Sequence, residues 1–464
     1  RAVYPNLANL ASRTYGTKDN YHTYFVDGPL RDVDVYLTSG TTGWRNYLFG
    51  SLGAGGRGVY ALDITDPTAL GTNTIRWEVN SLSESELGHV LFPVEAGVLP
   101  NGKWVAVFGN GYGGASGKAF LFVVDVATGA VQKLAVAPTV SNNGLGGVAV
   151  LKNESGQIVN LYAGDLQGKL WKFEYSSAAA SGFAIANGGA AMASATTSSG
   201  TVQSIIQPPV LFDHSQGGKI VVFGSGKLIT EADADSSTVQ TMYGIRDKQP
   251  EALTMPFTRS NLVERTISTF GGTGGASGST FFNISGPTID WENKRGWFID
   301  LAVTGYPGLR TVYPPQKADA RFVLFSTVSP AQNIAPCENA SGRGANFLYP
   351  VETGSCSASA VFDTNGDGVV DSSDQASCGY ESNADGVDAI LTGSTVGEIS
   401  IQNTTGQVRA TLPQPPPPPP EPEPNCSSTP PVPPPGETCD PPHPPVSPAT
   451  VDRTWRRIIN PPIR

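Results

Sequence analysis

The sequence predicts an all-β fold, a decorated β-propeller, on three observations. Glycine and proline are abundant (54 and 38 of 464 residues) and methionine is scarce (3), a balance that favours short strands and many turns over packed helices. One theme recurs, a glycine followed by an aromatic and β-branched run that closes on an acidic or polar turn. It is found as "GRGVYALDITDP" from Gly56, "GKAFLFVVDVATG" from Gly117, "GKLWKFEY" from Gly168, "VQTMYGIRD" from Val239, "KRGWFIDL" from Lys294 and, more weakly, "GANFLYPVETG" from Gly344. A second strand-like run such as "KWVAVFGNGYGG" or "KIVVFGSG" usually precedes each copy. Paired strands therefore return at intervals of roughly 45 to 75 residues, the pattern of propeller blades of about four strands. The spacing is too irregular for a WD40 or kelch array, and a β-sandwich is the second choice.

Within one copy, the alternation through Lys169, Leu170, Trp171, Lys172 and Phe173 puts aromatic rings on one side of the pleat. Trp171, Tyr60 and Phe122 are expected to pack between neighbouring blades rather than to stack on a ligand. "GNGYGG" from Gly109 has no helix after it, so it reads as a tight blade turn and not as a phosphate cradle. Composition divides the chain into an N-terminal extension (1–20), the propeller (21–412), a proline-rich insertion (413–448), and a closing strand with tail (449–464) that contains "TWRRII". Each proline of the insertion removes an amide donor, so that stretch cannot join a sheet and is expected to be extended polyproline II. It reads as a surface excursion or as a rigid spacer for neighbouring subunits.

A formal net charge of −10 and a pI near 5.0 argue against nucleic acid or an anionic membrane surface as partner, because phosphate contacts need clustered Lys and Arg. Nothing resembles an apolar run of about 18 residues, so no membrane span is expected. The four histidines are scattered, offering neither a histidine-rich metal site nor a triad, and G-x-S-x-G is absent; no enzyme activity is expected. The chain opens on Arg1 without a basic-then-apolar leader and reads as a mature or truncated piece. Five cysteines include no C-x-x-C pair. Cys356 and Cys378 bracket an acidic loop and Cys426 and Cys439 bracket a proline-rich stretch, pairings that suit an oxidising compartment and leave Cys337 over. Cys337 with Cys356 is the alternative, and sequence leaves the connectivity open.

The acidic loop, "DTNGDGVVDSSD" over 363–374, carries the sharpest chemical signal. Calcium takes six to eight hard oxygens at flexible angles, and a loop supplies them from alternate positions. With Asp363 at position 1, Asn365 and Asp367 fall at 3 and 5, Gly368 at the sharp turn of position 6, Val369 at 7 with its carbonyl, and Asp371 at 9. Position 12 is Asp374 where an EF-hand has the longer Glu, and "SASAVF" before the loop alternates like a strand, so a helix-loop-helix pair is not expected. A calcium loop grafted onto a propeller edge is the reading. A solvated turn is the competing one, since Asp, Asn and Gly are also turn residues. It is disfavoured because packed carboxylates repel one another without a cation. Magnesium demands more rigid geometry. "EADADSS" from Glu231 and "NADGVD" from Asn383 are lesser acidic candidates, the first read as a solvated blade loop.

Taken in order, "YHTYFVDG", "WRNYLFGSLGAGGRGVYALDITDP", "NGKWVAVFGNGYGG", "LYAGDLQGKLWKF", "GGKIVVFGSGKLI", "FDTNGDGVVDSSD" and "TWRRII" resemble the C-terminal domain of the PilY/PilC family, tip-associated adhesins and biogenesis factors of type IV pili. The resemblance covers most of residues 20–400 and the last strand. It implies a modified seven-bladed propeller, exported through the periplasm to the pilus tip, cell surface or outer membrane. It also implies work with minor pilins in pilus assembly, calcium-dependent opposition to retraction and thus control of twitching motility, and adhesion to surfaces or host cells. It maps calcium onto Asp363, Asn365, Asp367, Val369 and Asp371, with Asp374 outside the mapped set. The family's variable N-terminal region has no counterpart in these residues, and the Cys337 segment and the proline insertion depart from its pattern. The runner-up, suggested by "DLQGKLWKF", is a quinoprotein-like propeller dehydrogenase, which should hold its quinone and calcium near the axis rather than in a loop late in the chain.

Overall fold

A computed structural model of the chain describes residues 3–15, 17, 20, 22–38, 40, 42–248, 251, 254–330, 343–356, 361–383, 400–404 and 407–411. Cys337, Cys426, Cys439, residues 384–388 of "NADGVD", the proline-rich insertion and the closing strand with its tail lie outside the described residues.

Strands form where the sequence alternates. β1 (Leu30–Leu37), β2 (Gly43–Ser51), β3 (Gly58–Asp63) and β4 (Ile75–Asn80) make the first antiparallel meander. β5 (Glu95–Val98), β6 (Trp104–Gly109), β7 (Ala119–Asp125) and β8 (Val131–Val136) make the second. The third has β9 (Leu145–Lys152), β10 (Ile158–Asp165), β11 (Lys169–Tyr175) and β12 (Phe183–Ile185), with β13 (Ala193–Ser194) also on β11. The chain continues with β14 (Val210–Asp213), β15 (Lys219–Gly224), β16 (Thr241–Asp247), β17 (Val263–Gly271), β18 (Thr280–Ser285), β19 (Gly296–Asp300), β20 (Arg310–Thr311), β21 (Gln316–Lys317), β22 (Phe322–Ser329), β23 (Arg343–Pro350) and β24 (Gly379–Asn383). β14, β15, β16 and β19 form a fourth four-stranded unit, which β17 extends by pairing in parallel with β19 into one eleven-stranded sheet. A hairpin of β25 (Ser400–Thr404) and β26 (Gln407–Thr411) ends the described chain.

The period of two along each strand divides its side chains between two cores. In the second blade, Ala106, Phe108, Phe122 and Val124 join Val35, Tyr47, Phe49 and Val59 of the first. Their neighbours Val105, Val107, Leu121 and Val123 join Leu161, Ala163, Trp171 and Phe173 of the third. Tyr162 and Leu170 turn the other way, onto Val221, Phe223 and Tyr243 of the fourth. Ile220, Val222, Met242 and Trp297 then face the last core. Since each fully buried Val, Leu, Ile or Phe contributes about 1.5–3 kcal/mol, these shared cores hold the blades together. The first strands β1, β5, β9 and β14 lie side by side, as the inner strands of a propeller do.

Trp171 and Phe122 pack between blades as expected. Tyr60 does not join that core. Val59 and Ala61 take the shared face, and the Tyr60 ring lies against Gly50 and Leu30 on the opposite side.

"GNGYGG" is the blade turn the sequence suggests, and its glycines answer to sterics. A Cβ on Gly109 would stand 2.1 Å from the Gly146 carbonyl oxygen, and Gly111 has φ of 67°. Between them buried Asn110 has both ends of its side chain occupied: Nδ2 donates to the Glu86 and Lys118 carbonyls, and Oδ1 accepts from the Phe120 and Leu145 amides. Gly109→Ala is expected to cost about 1–3 kcal/mol by forcing the second and third blades apart, read as a lower urea midpoint. Among the described residues no helix is long and apolar enough to cross a membrane.

Candidate metal centre

The acidic loop fills the connection between β23 and β24, and its base is fixed by burial. Phe362 is fully buried, its ring 5.5 Å from Tyr380 and 6.5 Å from Phe281. Val361 and Thr364 are buried beside it. Cys356 bonds Cys378, with Cα atoms 5.7 Å apart, which settles that pairing and excludes Cys337 as the partner of Cys356. The bridge closes a sequence separation of 22 around the loop, and the Cys378 amide donates to the Phe282 carbonyl at 2.8 Å. Restricting an unfolded loop of this size contributes about 3 kcal/mol. The double variant Cys356→Ala, Cys378→Ala is expected to lose about that much, measured by urea unfolding under non-reducing conditions.

Inside this frame, a chain of side-chain-to-backbone bonds shapes the turn. Asp363 accepts the Gly366 amide at 2.5 Å on Oδ1 and the Gly368 amide at 2.8 Å on Oδ2. Asn365 Oδ1 accepts from the Asp367 amide at 2.9 Å, Asp367 Oδ1 from Val369 at 2.8 Å, and Asp371 Oδ1 from Ser373 at 2.7 Å. These are Asx-type turns, in which a short acidic or amide side chain reaches the backbone two or more residues on. Gly366 and Gly368 have φ of 70° and 86°, the left-handed region where glycine carries no Cβ penalty. The Val369 side chain is exposed.

Asp374 has a different part. Its Oδ1 accepts from the Thr364 amide (2.7 Å), the Thr364 hydroxyl (3.1 Å) and the Asn365 amide (3.3 Å), and its Oδ2 from the Asp371 amide (2.9 Å). The Thr364 hydroxyl in turn accepts from the Gln375 amide at 2.8 Å. Position 12 thus clasps the end of the loop to its start.

The loop rests on a surface that sequence reading did not connect with it, the glycine-rich turn between β17 and β18. The Thr273 amide donates to the Thr364 carbonyl and the Gly275 amide to the Asn365 carbonyl, both at 2.9 Å. A Cβ on Gly275 would come within 2.4 Å of the Gly366 carbonyl oxygen, so the two backbones approach only because both positions lack side chains. The signal was "GGTGGASG" from Gly271, a run richer in glycine than the turn joining β17 to β18 by itself requires.

The donor chemistry suits a hard cation. An ionised carboxylate offers about four lone-pair sites, so the two amides on Asp363 leave capacity, as does the single amide on Asn365 Oδ1. The carboxylates stand around the loop facing its own amides, and among the described residues no three His, Cys, Asp or Glu side chains are gathered closely enough to hold an ion by themselves. A coordinated ion would also draw on the Asn365 amide oxygen and the Val369 carbonyl.

The other acidic candidate resolves differently. "EADADSS" begins with a helical turn at Glu231–Ala234, and Asp233 accepts from the Ile229 and Thr230 amides while pairing with Lys227. Burial pushes its carboxyl up, but Lys227 and those amides outweigh burial and hold it below the usual value. It is an anchored turn. Asp165, fully buried, takes Asn143 Nδ2, Trp171 Nε1 and the Lys169 amide, and burial raises its carboxyl despite those donors. It knits the third blade internally.

Comparison with known proteins agrees with this architecture. Residues 1–274 match the family model described as the PilY1 beta-propeller domain. The type IV pilus biogenesis factor PilY1 of Pseudomonas aeruginosa strain PAO1 is 34% identical over 404 residues, covering 80% of this chain and 34% of that protein. A PilY1 homolog of Xylella fastidiosa strain Temecula1 is 32% identical over 353 residues, 72% of this chain and 23% of its own. The chain thus spans about a third or less of the length of these curated relatives. The crystal structure of the Pseudomonas aeruginosa PilY1 C-terminal domain superposes with a TM-score of 0.67 at 30% identity, over 84% of each chain. With an all-β architecture of face-to-face blades and a family match over more than half its residues, the chain belongs to the PilY1 β-propeller domain family.

Proposed function

We propose that this chain is the calcium-responsive propeller of a type IV pilus biogenesis factor, working with minor pilins at the pilus tip, where it promotes assembly and opposes retraction when calcium is bound. The relatives named as biogenesis factors support the pilus role. The observation that carries the calcium reading is the contrast within the acidic loop. Its base is immobilised by Phe362, the Cys356–Cys378 bridge and the Asp374 clasp, while the side chains of Asp367 and Asp371 remain at the exposed rim and that of Asp363 is half-buried beneath them. Such a loop holds negative charge at close range at a cost that calcium would relieve by supplying two positive charges.

Asp363, Asn365, Asp367 and Asp371 with the Val369 carbonyl would hold the ion, and Asp374 would set the loop's closure. Ordering of the rim would pass to the propeller through the Thr364 and Asn365 carbonyls, which already receive the Thr273 and Gly275 amides. The domain acts by binding, with no catalytic residue, and is exported to the pilus or cell surface, where it adheres to a surface or host receptor.

Two measurements test this together. Calorimetry on the domain should give one calcium site in the unaltered chain and none in Asp367→Ala. Cells carrying the same substitution in the full-length protein should lose surface pili or retain them independently of external calcium. Unchanged calcium binding in Asp367→Ala refutes the site; lost binding with unchanged, calcium-responsive piliation refutes its role.

A further inference from the structure

Four arginines are buried among the described residues: Arg246, Arg265, Arg295 and Arg310. Three of them have acceptors. Arg246 donates to the Gln216 and Gly217 carbonyls, Arg295 to the Glu251 carboxylate, and Arg310 to the Asp233 and Gly308 carbonyls. Arg265, on β17 beside Ile299 of β19, is the exception. It is 2% exposed, and none of its three side-chain nitrogens has a hydrogen-bond partner among the described residues. A guanidinium cannot shed its charge, and burying it without a counter-charge is strongly unfavourable.

Tyr349 of β23 stands beside Arg265 without neutralising it. Its ring is fully buried, edge to face with Trp297 at 4.7 Å, and its hydroxyl also lacks a hydrogen-bond partner among the described residues. Burial pushes the phenol up and the Arg265 charge opposes that only in part, so Tyr349 stays neutral and is no counter-ion. Two glycines flank the pair. A Cβ on Gly354 would stand 2.7 Å from Arg265 Nη2 and 3.1 Å from Tyr349 Oη, and a Cβ on Gly286 would stand 3.0 Å from Nη1. Guanidinium and hydroxyl therefore face one small space beside Gly354, bounded by Ile289 Cδ1 at 2.7 Å from the same Cβ position. The carboxylates on these segments are engaged elsewhere. Asp290 accepts the Glu292 and Asn293 amides, Glu352 accepts from Ser215, and Glu264 points to the opposite, exposed face of β17. Gly286 is itself exposed, so the space lies directly beneath the surface.

We propose that Arg265 and Tyr349 bind a small inorganic anion, chloride in a saline medium, beneath Gly286 and Gly354. An anion offers acceptors only, so it satisfies guanidinium and hydroxyl together and supplies the missing counter-charge. The close glycine backbones and Ile289 favour a monatomic ion over an organic acid. Bound there, the ion ties β17 to the chain two residues ahead of Cys356, at the entrance to the disulfide-closed segment. This inference is independent of calcium binding.

Urea unfolding of the 464-residue chain, at constant ionic strength and fixed calcium concentration, tests it. The midpoint should rise as chloride replaces gluconate, and Arg265→Met should remove that rise. Tyr349→Phe should move the chloride dependence to concentrations about tenfold higher, as expected for loss of one hydrogen bond to a charged group. A chloride dependence that is absent from the unaltered chain, or equal in Arg265→Met, overturns the proposal. A second measurement does not require that variant to fold. In crystals of the unaltered chain soaked in sodium bromide, an anomalous peak should lie in contact with the Arg265 guanidinium and the Tyr349 hydroxyl. Water or a carboxylate of the chain at that position overturns the proposal equally.

Discussion

Asp363→Ala is expected to weaken calcium binding at least a hundredfold. Two losses combine at this residue. One is the charge at position 1 of the coordination pattern. The other is the pair of restraints that its oxygens place on the Gly366 and Gly368 amides, which fix the left-handed turn at those glycines. Shape retained without the charge is not enough, so Asp363→Asn should also fail, though with less disturbance of the apo loop. Asp374→Ala should act otherwise. It releases the Thr364, Asn365 and Asp371 amides together, so affinity should fall through loosening of the loop rather than through loss of a ligand. Thermal unfolding separates the cases, because calcium at a hundredfold excess over Kd adds about 2.7 kcal/mol to a protein that binds it only when folded. The unaltered domain should gain that increment and Asp363→Ala should gain none. Asp374→Ala should start lower without calcium and recover part of the increment at higher concentration. An undiminished calcium increment in Asp363→Ala would exclude this loop as the site.

Local patterns made much of the fold legible in the sequence. The glycine-then-aromatic runs became β3, β7, β11, β16, β19 and β23, because alternation and turn chemistry act over a few residues. The Cys356–Cys378 bridge was one of the two pairings the sequence left open for Cys356, since closure of a short loop is a property of a short segment. Partners brought from afar were hidden. Nothing in "GGTGGASG" names Asn365 as its neighbour, and the close backbone approach is visible only once both turns are placed. Asp374 looked like a short version of a calcium ligand, whereas its oxygens accept four hydrogen bonds from the loop itself. Tyr60 was expected in a core because aromatic residues usually are, but register, a property of the paired strand, sent it to the other face. The parallel pairing of β17 with β19, which fuses the fourth blade with the later strands of the same sheet, leaves no local trace either.

Replacing Asp247 with alanine is expected to destabilise the domain by about 3–5 kcal/mol, the cost of leaving a buried charge without its partner. Asp247 ends β16 on the fourth blade and receives two groups from the third: the Tyr162 hydroxyl donates to Oδ2 at 2.6 Å, and Lys172 Nζ stands 2.9 Å from the same oxygen. Tyr162 is fully buried and Lys172 is 3% exposed. Burial alone would lower the Lys172 ammonium; Asp247, together with Glu174 at 3.0 Å, outweighs it and holds it above its ordinary value. A raised lysine lends stability that is complete below its unfolded value of about 10.4 and is lost as pH climbs through the higher folded value. The unaltered domain should therefore weaken in strong alkali by a component that Lys172→Met lacks. The same physics sets the order among variants. Asp247→Ala strands the ammonium with only half-exposed Glu174 to answer it. Asp247→Leu combined with Lys172→Met removes both buried charges, at the expense of the acceptor for the Tyr162 hydroxyl, and should lie closer to the unaltered domain than either single change does. Urea unfolding at neutral pH decides the matter, and an Asp247→Ala loss below about 1 kcal/mol, the level of an exposed pair, would mean that water reaches this junction between the third and fourth blades.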